Sequence, residues 1–468
     1  MKVYETSLRI PAVSGNAGLL ENFACEVEAH LPPNTLPVRF VVTQSDDTSY
    51  HVELGVLEYE AESPAIDSIF RFSKRPIEST REFNAVLLVP TGIGAMIGGH
   101  AGDATPVSRL MASICDNLIT HPNVVNASAI NEMTENTLYA EGSVVCRLLM
   151  GTIGLQKVRS NRVLTVVEKH PTDELFVNGA INAVNAARAS AGLDSSQILV
   201  LDPAMRLIAE YASSGRAVGK VEKLENLFAQ LRACRDEYDS VAISSIIKIP
   251  SRTLHKQYFE SKGEMINPWG GVEAIFTHTV SSLFNVQSAH CPMIEDQLVA
   301  NMDVGVVDAR QAAEAISFTY MQCILKGLQR APRIVADHDA MRHPCVITAA
   351  DISCLVIPDG CIGLPTLAAL EQGIPVIAVR GNANIMRNDL ATLPWARNQL
   401  HIVENYLEAL GVMAALKSGV AVDTLKRPLA NARINEPPFV FSDVREDATK
   451  RDSTTSMVYR SKHVRKSM

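Results

Sequence analysis

Four histidines stand among amides, carboxylates and glycines in a way that suits proton transfer. His100 sits in Gly98-Gly-His-Ala-Gly-Asp103, His121 in Thr-His-Pro-Asn-Val-Val-Asn, His278 in Phe-Thr-His-Thr and His290 in Ser-Ala-His-Cys-Pro. Imidazole titrates near neutrality, so it can both take and give a proton under ordinary conditions. With Asp103, Asn123, Asn126, Glu141 and Glu273 these residues supply the donor types of an acid/base set or of a mononuclear metal site. No His-x-His or His-x-x-x-His pair fixes a metal geometry locally, so a divalent cation is an open cofactor whose ligands only the fold could assemble. His121 and His290 precede a proline by one or two residues, which favours extended or turn backbone and placement in loops. The competing reading of each histidine is a hydrogen-bonded structural residue. Cys291 and Cys361 are read as small core thiols, since neighbours such as His290 and Cys291 point opposite ways in extended chain.

A glycine-laden loop would bring a ligand to these groups. Ala85 to Val89 predicts a strand, Pro90-Thr-Gly-Ile-Gly-Ala-Met-Ile-Gly-Gly-His-Ala-Gly-Asp-Ala a loop, and Thr105-Pro-Val-Ser-Arg-Leu a helix with Thr105 as N-cap and Pro106 in its first turn. Glycines at 92, 94, 98, 99 and 102 let a ligand approach the main chain. Amides there and at the helix start would face an anion. Thr91, Gly92, Gly94, Gly98, Gly99, His100, Asn123 and Asn126 are therefore the expected substrate-binding residues. A second loop, Asp359-Gly-Cys-Ile-Gly-Leu-Pro, adds Gly360 and Gly363. The third glycine of the first loop falls one place late for a dinucleotide fingerprint, and no acidic residue closes a following strand, so NAD is the less favoured cofactor. Neither loop ends in Gly-Lys-Ser or Gly-Lys-Thr, which excludes a P-loop.

The elements that must position these loops read as α/β: doubly wound, mostly parallel sheets in two halves facing a cleft, behind a small N-terminal α+β unit. Residues 1–80 form that unit: strand Val3 to Ile10, helix Ala17 to His30, and a hairpin of Pro37 to Val42 with Tyr50 to Leu57. A first α/β domain, 81–260, continues with strands Val163 to Val167, Gln197 to Leu201 and Val241 to Ile249, and helices Asp173 to Ala191 and Val221 to Tyr238. A helical insert and second α/β domain, 261–428, holds helices Gly271 to Phe284, Ala309 to Gln329 and Thr366 to Glu371, and strands Ser353 to Pro358 and Ile374 to Val379. Residues 429–468 are expected to be a polar, partly disordered tail, basic at Arg460, Lys462, Arg465 and Lys466.

Composition narrows the classes. The net charge is −8 and no basic stripe interleaved with aromatics occurs, which argues against a nucleic-acid partner. No run of about 18 apolar residues appears, so no membrane partner is expected. The start, Met-Lys-Val-Tyr-Glu, lacks a secretory pattern, and the nine cysteines form no Cys-x-x-Cys pair, so a cytoplasmic location is expected. A homo-oligomer stays open.

At Pro90 to Ala104 and Thr120-His-Pro-Asn-Val-Val-Asn the chain resembles a bacterial, cyanobacterial and plant family catalogued as domain of unknown function 3326. Glu141-Gly, Gly270-Gly-Val-Glu-Ala-Ile, Ala289-His-Cys-Pro, Gly327-Leu-Gln-Arg-Ala-Pro and Asp359 to Val379 extend the resemblance over about Pro90 to Gly419. It implies that His121, Asp103, Asn123, Glu273 and His290 are better candidates than His100 or Cys291. Gly360 to Val379 also resembles the donor-nucleotide segment of two-domain glycosyltransferases, where a glycine turn holds a diphosphate and a later Glu, here Glu371, holds a ribose.

The leading expectation is an enzyme, a lyase, isomerase or hydrolase, acting on a small carboxylate or phosphate. His121 or His290 would move protons, with Asp103 or Glu273 orienting a histidine or a metal. The alternatives are a nucleotide- or nucleotide-sugar-binding transferase and a non-catalytic ligand-binding or adaptor protein.

Overall fold

Short runs of β-branched and aliphatic residues with no polar alternation must be buried on both faces, and six of them form one wholly parallel sheet. A computed structural model describes residues 1–12, 18–60, 66–126, 133–251, 253–316 and 320–435. In it the six strands lie in the order Leu400–Val403, Val376–Val379, Ile352–Pro358, Asn84–Leu87, Asn117–Thr120, Thr137–Tyr139. The chain thus starts in the middle at Asn84–Leu87, runs out along one flank, and returns to the other side of its starting strand for Ile352–Pro358. All residues of the four central strands are buried.

The second sheet is mixed and has ten strands. Its antiparallel part runs Ile362–Gly363, Thr35–Ser45, Ser49–Glu58, Lys2–Pro11, Ala217–Glu222, Arg206–Tyr211. Its parallel part joins Arg206–Tyr211 to Ser240–Lys248, which pairs with both Val163–Glu168 and Gln287–Met293; Ile198–Leu201 closes the edge. A three-stranded antiparallel ladder, Arg333–Val335, Gly154–Gln156 and Val346–Ile347, completes the set. Met1–Val422 is one compact unit and Asp423–Met468 another.

Helix Gly270–Phe284 is buried along most of its length and packs on both Ala217–Glu222 and Gln287–Met293. Its close approach depends on glycine: a Cβ on Gly271 would lie 2.2 Å from the Ala217 carbonyl oxygen, and one on Gly92, whose φ is +82°, 2.5 Å from the same atom. Helix start and glycine loop therefore share one backbone anchor.

The expected hairpin is present, as Thr35–Ser45 with Ser49–Glu58. Four local expectations are corrected. The helix expected over Val221 to Tyr238 is the end of a strand, Ala217–Glu222, followed by a shorter helix, Glu225–Ala233, because pairing with Arg206–Tyr211 and Lys2–Pro11 claims the first residues. The helix expected over Ala309 to Gln329 is replaced by Ala312–Ala315 and Tyr320–Arg330, with residues 317–319 outside the described ones. Ala104, not Thr105, occupies the N-cap of helix Thr105–Ala112, without a side-chain cap. His290 lies on a strand, Gln287–Met293, rather than in a loop. The basic residues Arg460, Lys462, Arg465 and Lys466 lie outside the described residues.

Candidate functional site

Carboxyl ends of parallel strands face a common edge, and loops leaving them carry the groups a ligand meets. Here the strand Asn84–Leu87 leads into Pro90–Gly94, Asn117–Thr120 into His121, Thr137–Tyr139 into Glu141, and Ile352–Pro358 into Asp359–Gly363. Helix Gly270–Phe284 brings Glu273, Thr277 and His278 to this edge, and the mixed sheet brings His290.

The result is a cavity of about 320 Å³ whose wall includes His121, Glu141, Glu273, His278, His290 and Glu314. Two carboxylate–imidazole pairs stand in it. Glu141 Oε1 lies 2.5 Å from His278 Nδ1 and also accepts from Thr277 Oγ1 at 3.1 Å, while Oε2 accepts the Ser143 amide at 2.8 Å and the Ser143 hydroxyl. Burial pushes the Glu141 carboxyl up, but His278 and Ser143 together outweigh it and hold the group below its ordinary value. An ionised Glu141 only accepts, so the His278 proton sits on Nδ1 and Nε2 is left as its base. A Cβ on Gly142 would be 2.7 Å from His278 Cε1, so glycine there makes room for the ring. In the second pair His290 Nδ1 lies 3.0 Å from Glu273 Oε1 and Nε2 lies 2.9 Å from Ser245 Oγ, which engages both ring nitrogens.

His121 differs from both. Its Nε2 accepts the Val89 amide at 3.1 Å, and burial holds its pKa down at about 4, so the ring is neutral and carries its proton on Nδ1. A further chain runs through Glu314, which accepts from Tyr258 Oη at 2.7 Å and Asn267 Nδ2 at 2.8 Å; His100 Nδ1 in turn lies 2.7 Å from Tyr258 Oη. Burial raises the Glu314 carboxyl to about 7.

A smaller cavity of about 120 Å³ adjoins the first, sharing Thr91, His121, Gly142, Ala274 and His278 with it. It lies between the loops after Asn84–Leu87 and Ile352–Pro358, and strand Thr35–Ser45 covers it. Arg39 and Arg147 line the smaller cavity, whereas among the described residues no Lys or Arg lines the larger.

Of the residues expected from sequence, Thr91, Gly92, Gly99, His121, Asn123, Asn126, Glu273 and His290 line the larger cavity, and Gly363 the smaller. Gly94, Gly98, His100, Asp103 and Gly360 line neither. Asp103 instead accepts the Gly98 amide at 2.7 Å and so clasps its own loop. The amides of Met96 and Ile97 are likewise taken, by the Ala383 carbonyl and Asn382 Oδ1. Asn123 Nδ2 is given to the Val89 and Gly98 carbonyls, and Asn126 Oδ1 accepts from Tyr139 Oη. Cys291 is buried, and burial pushes its thiol far up, as befits a core residue. Among the described residues no group of three or more His, Cys, Asp or Glu side chains is arranged to hold a metal ion. Thr277 and Glu314 escaped the sequence-based candidates.

This α/β chain belongs to a family of unknown activity: residues 84–426 match the family described as protein of unknown function (DUF3326). An uncharacterized lipoprotein of Synechococcus sp. is 31% identical over 347 residues, covering 73% of this chain and 92% of the relative. No solved structure matches. No helix among the described residues is long and apolar enough to cross a membrane.

Proposed function

We propose that the chain is an enzyme acting by acid–base chemistry on a small anionic substrate, with His278 as base and His121 as proton donor. The observation that carries this reading is the 2.5 Å contact from buried Glu141 to His278 on a cavity wall shared with a neutral His121. His278 Nε2 would take a proton, and Glu141 would stabilise the imidazolium that forms, the role a buried carboxylate plays beside a catalytic histidine. Nδ1–H of His121 would hydrogen-bond to a substrate oxygen as charge builds on it. His290 with Glu273 forms a second pair suited to positioning the substrate or to a second transfer. Proton abstraction of this kind serves a lyase or an isomerase, and activation of water at the same base serves a hydrolase.

The strand order supports a doubly wound reading, since it reverses between Asn84–Leu87 and Ile352–Pro358, and ligands bind at such reversals. The same feature favours a nucleotide-binding transferase as second reading. The cavity at the reversal, about 120 Å³, is small against common ligand pockets of roughly 300–1,000 Å³, which ranks that reading lower. We propose a cytoplasmic location, and the lipoprotein designation of the relative sets membrane attachment beside it; fractionation of the native host decides, a membrane pellet ruling out the former.

The test of the leading reading is incubation of the full chain with a host metabolite extract in D₂O, followed by mass spectrometry. Deuterium gain or turnover of an acid with the natural protein, and none with His278→Gln, is the expected result. No difference between the two proteins rejects it. Thermal stabilisation by nucleotide sugars or NAD, and not by small acids, would promote the transferase instead.

A further inference from the structure

Buried cations are ordinarily paired, because an unpaired charge in a protein interior is costly. Three arginines near the site differ in this respect. Arg216, wholly buried, lies between Glu5 and Glu53. Arg39 donates to Glu5 at 3.0 Å and to the Thr91 carbonyl at 3.1 Å. Arg147, half-buried, has no such carboxylate partner: Nη2 donates to the neutral Asn285 Oδ1 at 2.8 Å, and the Nη1 atom is buried with no hydrogen-bond acceptor among the described residues. Burial pulls its pKa below the usual arginine value, and Glu141 and Asp67 offset this only through space. The Glu141 carboxylate is itself consumed by His278, Thr277 and Ser143.

Arg147 lines the smaller cavity, which also receives Ser282 and the start of helix Leu364–Gln372. That helix has Gly363 as N-cap and no side-chain cap, and Pro365 carries no N–H, so the amides of Leu364 and Thr366 are the ones no capping side chain meets. Arg39, paired with Glu5, and the hydroxyl residues Ser143 and Thr366 also reach the wall, most of whose remainder is apolar, with Val38, Phe40, Ile69, Leu88, Ile357 and Leu364. His121 and His278 stand on the boundary with the larger cavity.

We infer that the smaller cavity is a carboxylate subsite: Arg147, aided by the start of helix Leu364–Gln372, receives the charged end of a substrate whose reacting end meets His278 and His121. This rests on the acid–base reading for the reacting end and deepens it by naming the substrate class, an organic acid with a short hydrocarbon stem. One guanidinium balances a carboxylate monoanion, and the apolar walls suit methylenes. A phosphate monoester, with a charge of about −1.5 to −2 at neutrality, would exceed what one arginine compensates. The inference also moves the expected anion grip from the Gly92–Gly102 amides, several of which are engaged within the protein, to a side chain the sequence did not single out.

Calorimetric titration of the full chain with butyrate, butyramide and inorganic phosphate tests this. Butyrate should bind at least tenfold more tightly than either of the others, and Arg147→Gln should weaken it by roughly tenfold to hundredfold, the span of a lost charge-assisted hydrogen bond. Equal affinity for butyrate and butyramide in the natural protein overturns the subsite without recourse to any variant, as does tighter binding of phosphate. So does undiminished butyrate binding by a folded Arg147→Gln protein. Butyrate binding without His278-dependent deuterium exchange would reject the acid–base reading and keep the subsite. Exchange without charge-selective butyrate binding would do the reverse.

Discussion

Replacing Glu141 by Gln leaves the side chain its size but exchanges one of two accepting oxygens for a donor. With Ser143 still requiring an acceptor, the new amide NH₂ faces His278 Nδ1 and forces the ring proton onto Nε2, the wrong nitrogen for a base. Glu141→Gln should therefore lower kcat by about 10²- to 10⁴-fold, with stability reduced by about 1–3 kcal/mol, read by steady-state kinetics and urea unfolding. Unchanged kcat would show that this pair is structural only. Asp103 calls for a different measurement. Burial raises its carboxyl to about 6 from 3.8, so between about pH 4 and 6 the folded chain keeps a proton that the unfolded chain has lost. Its contribution makes stability fall as pH rises through that window. His121, held at about 4, contributes with the opposite sign over an overlapping range, so the natural protein alone does not separate them. Asp103→Asn keeps an acceptor for the Gly98 amide and removes the first contribution. The variant should be more stable than the natural protein by about 1–3 kcal/mol at pH 7 and lose that advantage near pH 4. A pH-independent difference in urea midpoints would contradict this.

Among the elements, helix Gly270–Phe284 has the strictest placement, because its first turn rests directly on backbone. Gly271→Ala pushes a methyl into the Ala217 carbonyl, and either the helix or the strand Ala217–Glu222 must move, carrying Glu273 and His278 with it. A loss of about 2–3 kcal/mol together with reduced turnover is expected. Gly179 gives the contrast: it lies exposed within helix Glu174–Ala191, and a Cβ there meets nothing within 4 Å. Gly179→Ala should stabilise by about 0.5–1 kcal/mol in the same assay. If both substitutions act alike, close approach is not what distinguishes them. Three strands of the parallel sheet, Asn84–Leu87, Ile352–Pro358 and Val376–Val379, were legible in sequence because burial on both faces leaves an uninterrupted apolar run, whereas the short Asn117–Thr120, Thr137–Tyr139 and Leu400–Val403 were not. Ala217–Glu222 was not, since Lys220-Val-Glu-Lys-Leu-Glu also suits a helix and its strand partner, Lys2–Pro11, begins more than 200 residues away. His290 was misjudged for a related reason: Cys291-Pro292 reads as a loop locally, while parallel pairing with Ser240–Lys248 makes it a strand. At the site, Glu141 and His278 each stood out, but 137 residues separate them and no local spacing joins such a pair.

At the scale of the whole molecule, the family match begins at residue 84 while the mixed sheet depends on what precedes it. Lys2–Pro11 lies between Ser49–Glu58 and Ala217–Glu222, and Thr35–Ser45 pairs with Ile362–Gly363 within the second glycine loop. Glu5 and Glu53 are also the partners of the fully buried Arg216, and Arg39 ties the same strands to Thr91 at the cavity rim. A chain cut to residues 81–435 would retain every residue proposed to move a proton. It would also bury Arg216 without either carboxylate, at a cost of about 3–5 kcal/mol, and expose the edge of Ala217–Glu222 and the apolar faces formerly covered by three long strands. That loss is comparable with the whole stability of an ordinary domain. The 81–435 chain should therefore aggregate or bind a hydrophobic dye with its near-ultraviolet dichroism lost, whereas 1–435 should unfold cooperatively. A monomeric 81–435 chain with the near-ultraviolet spectrum of the longer one would mean that the segment matching the family folds by itself and that the preceding strands only cover it.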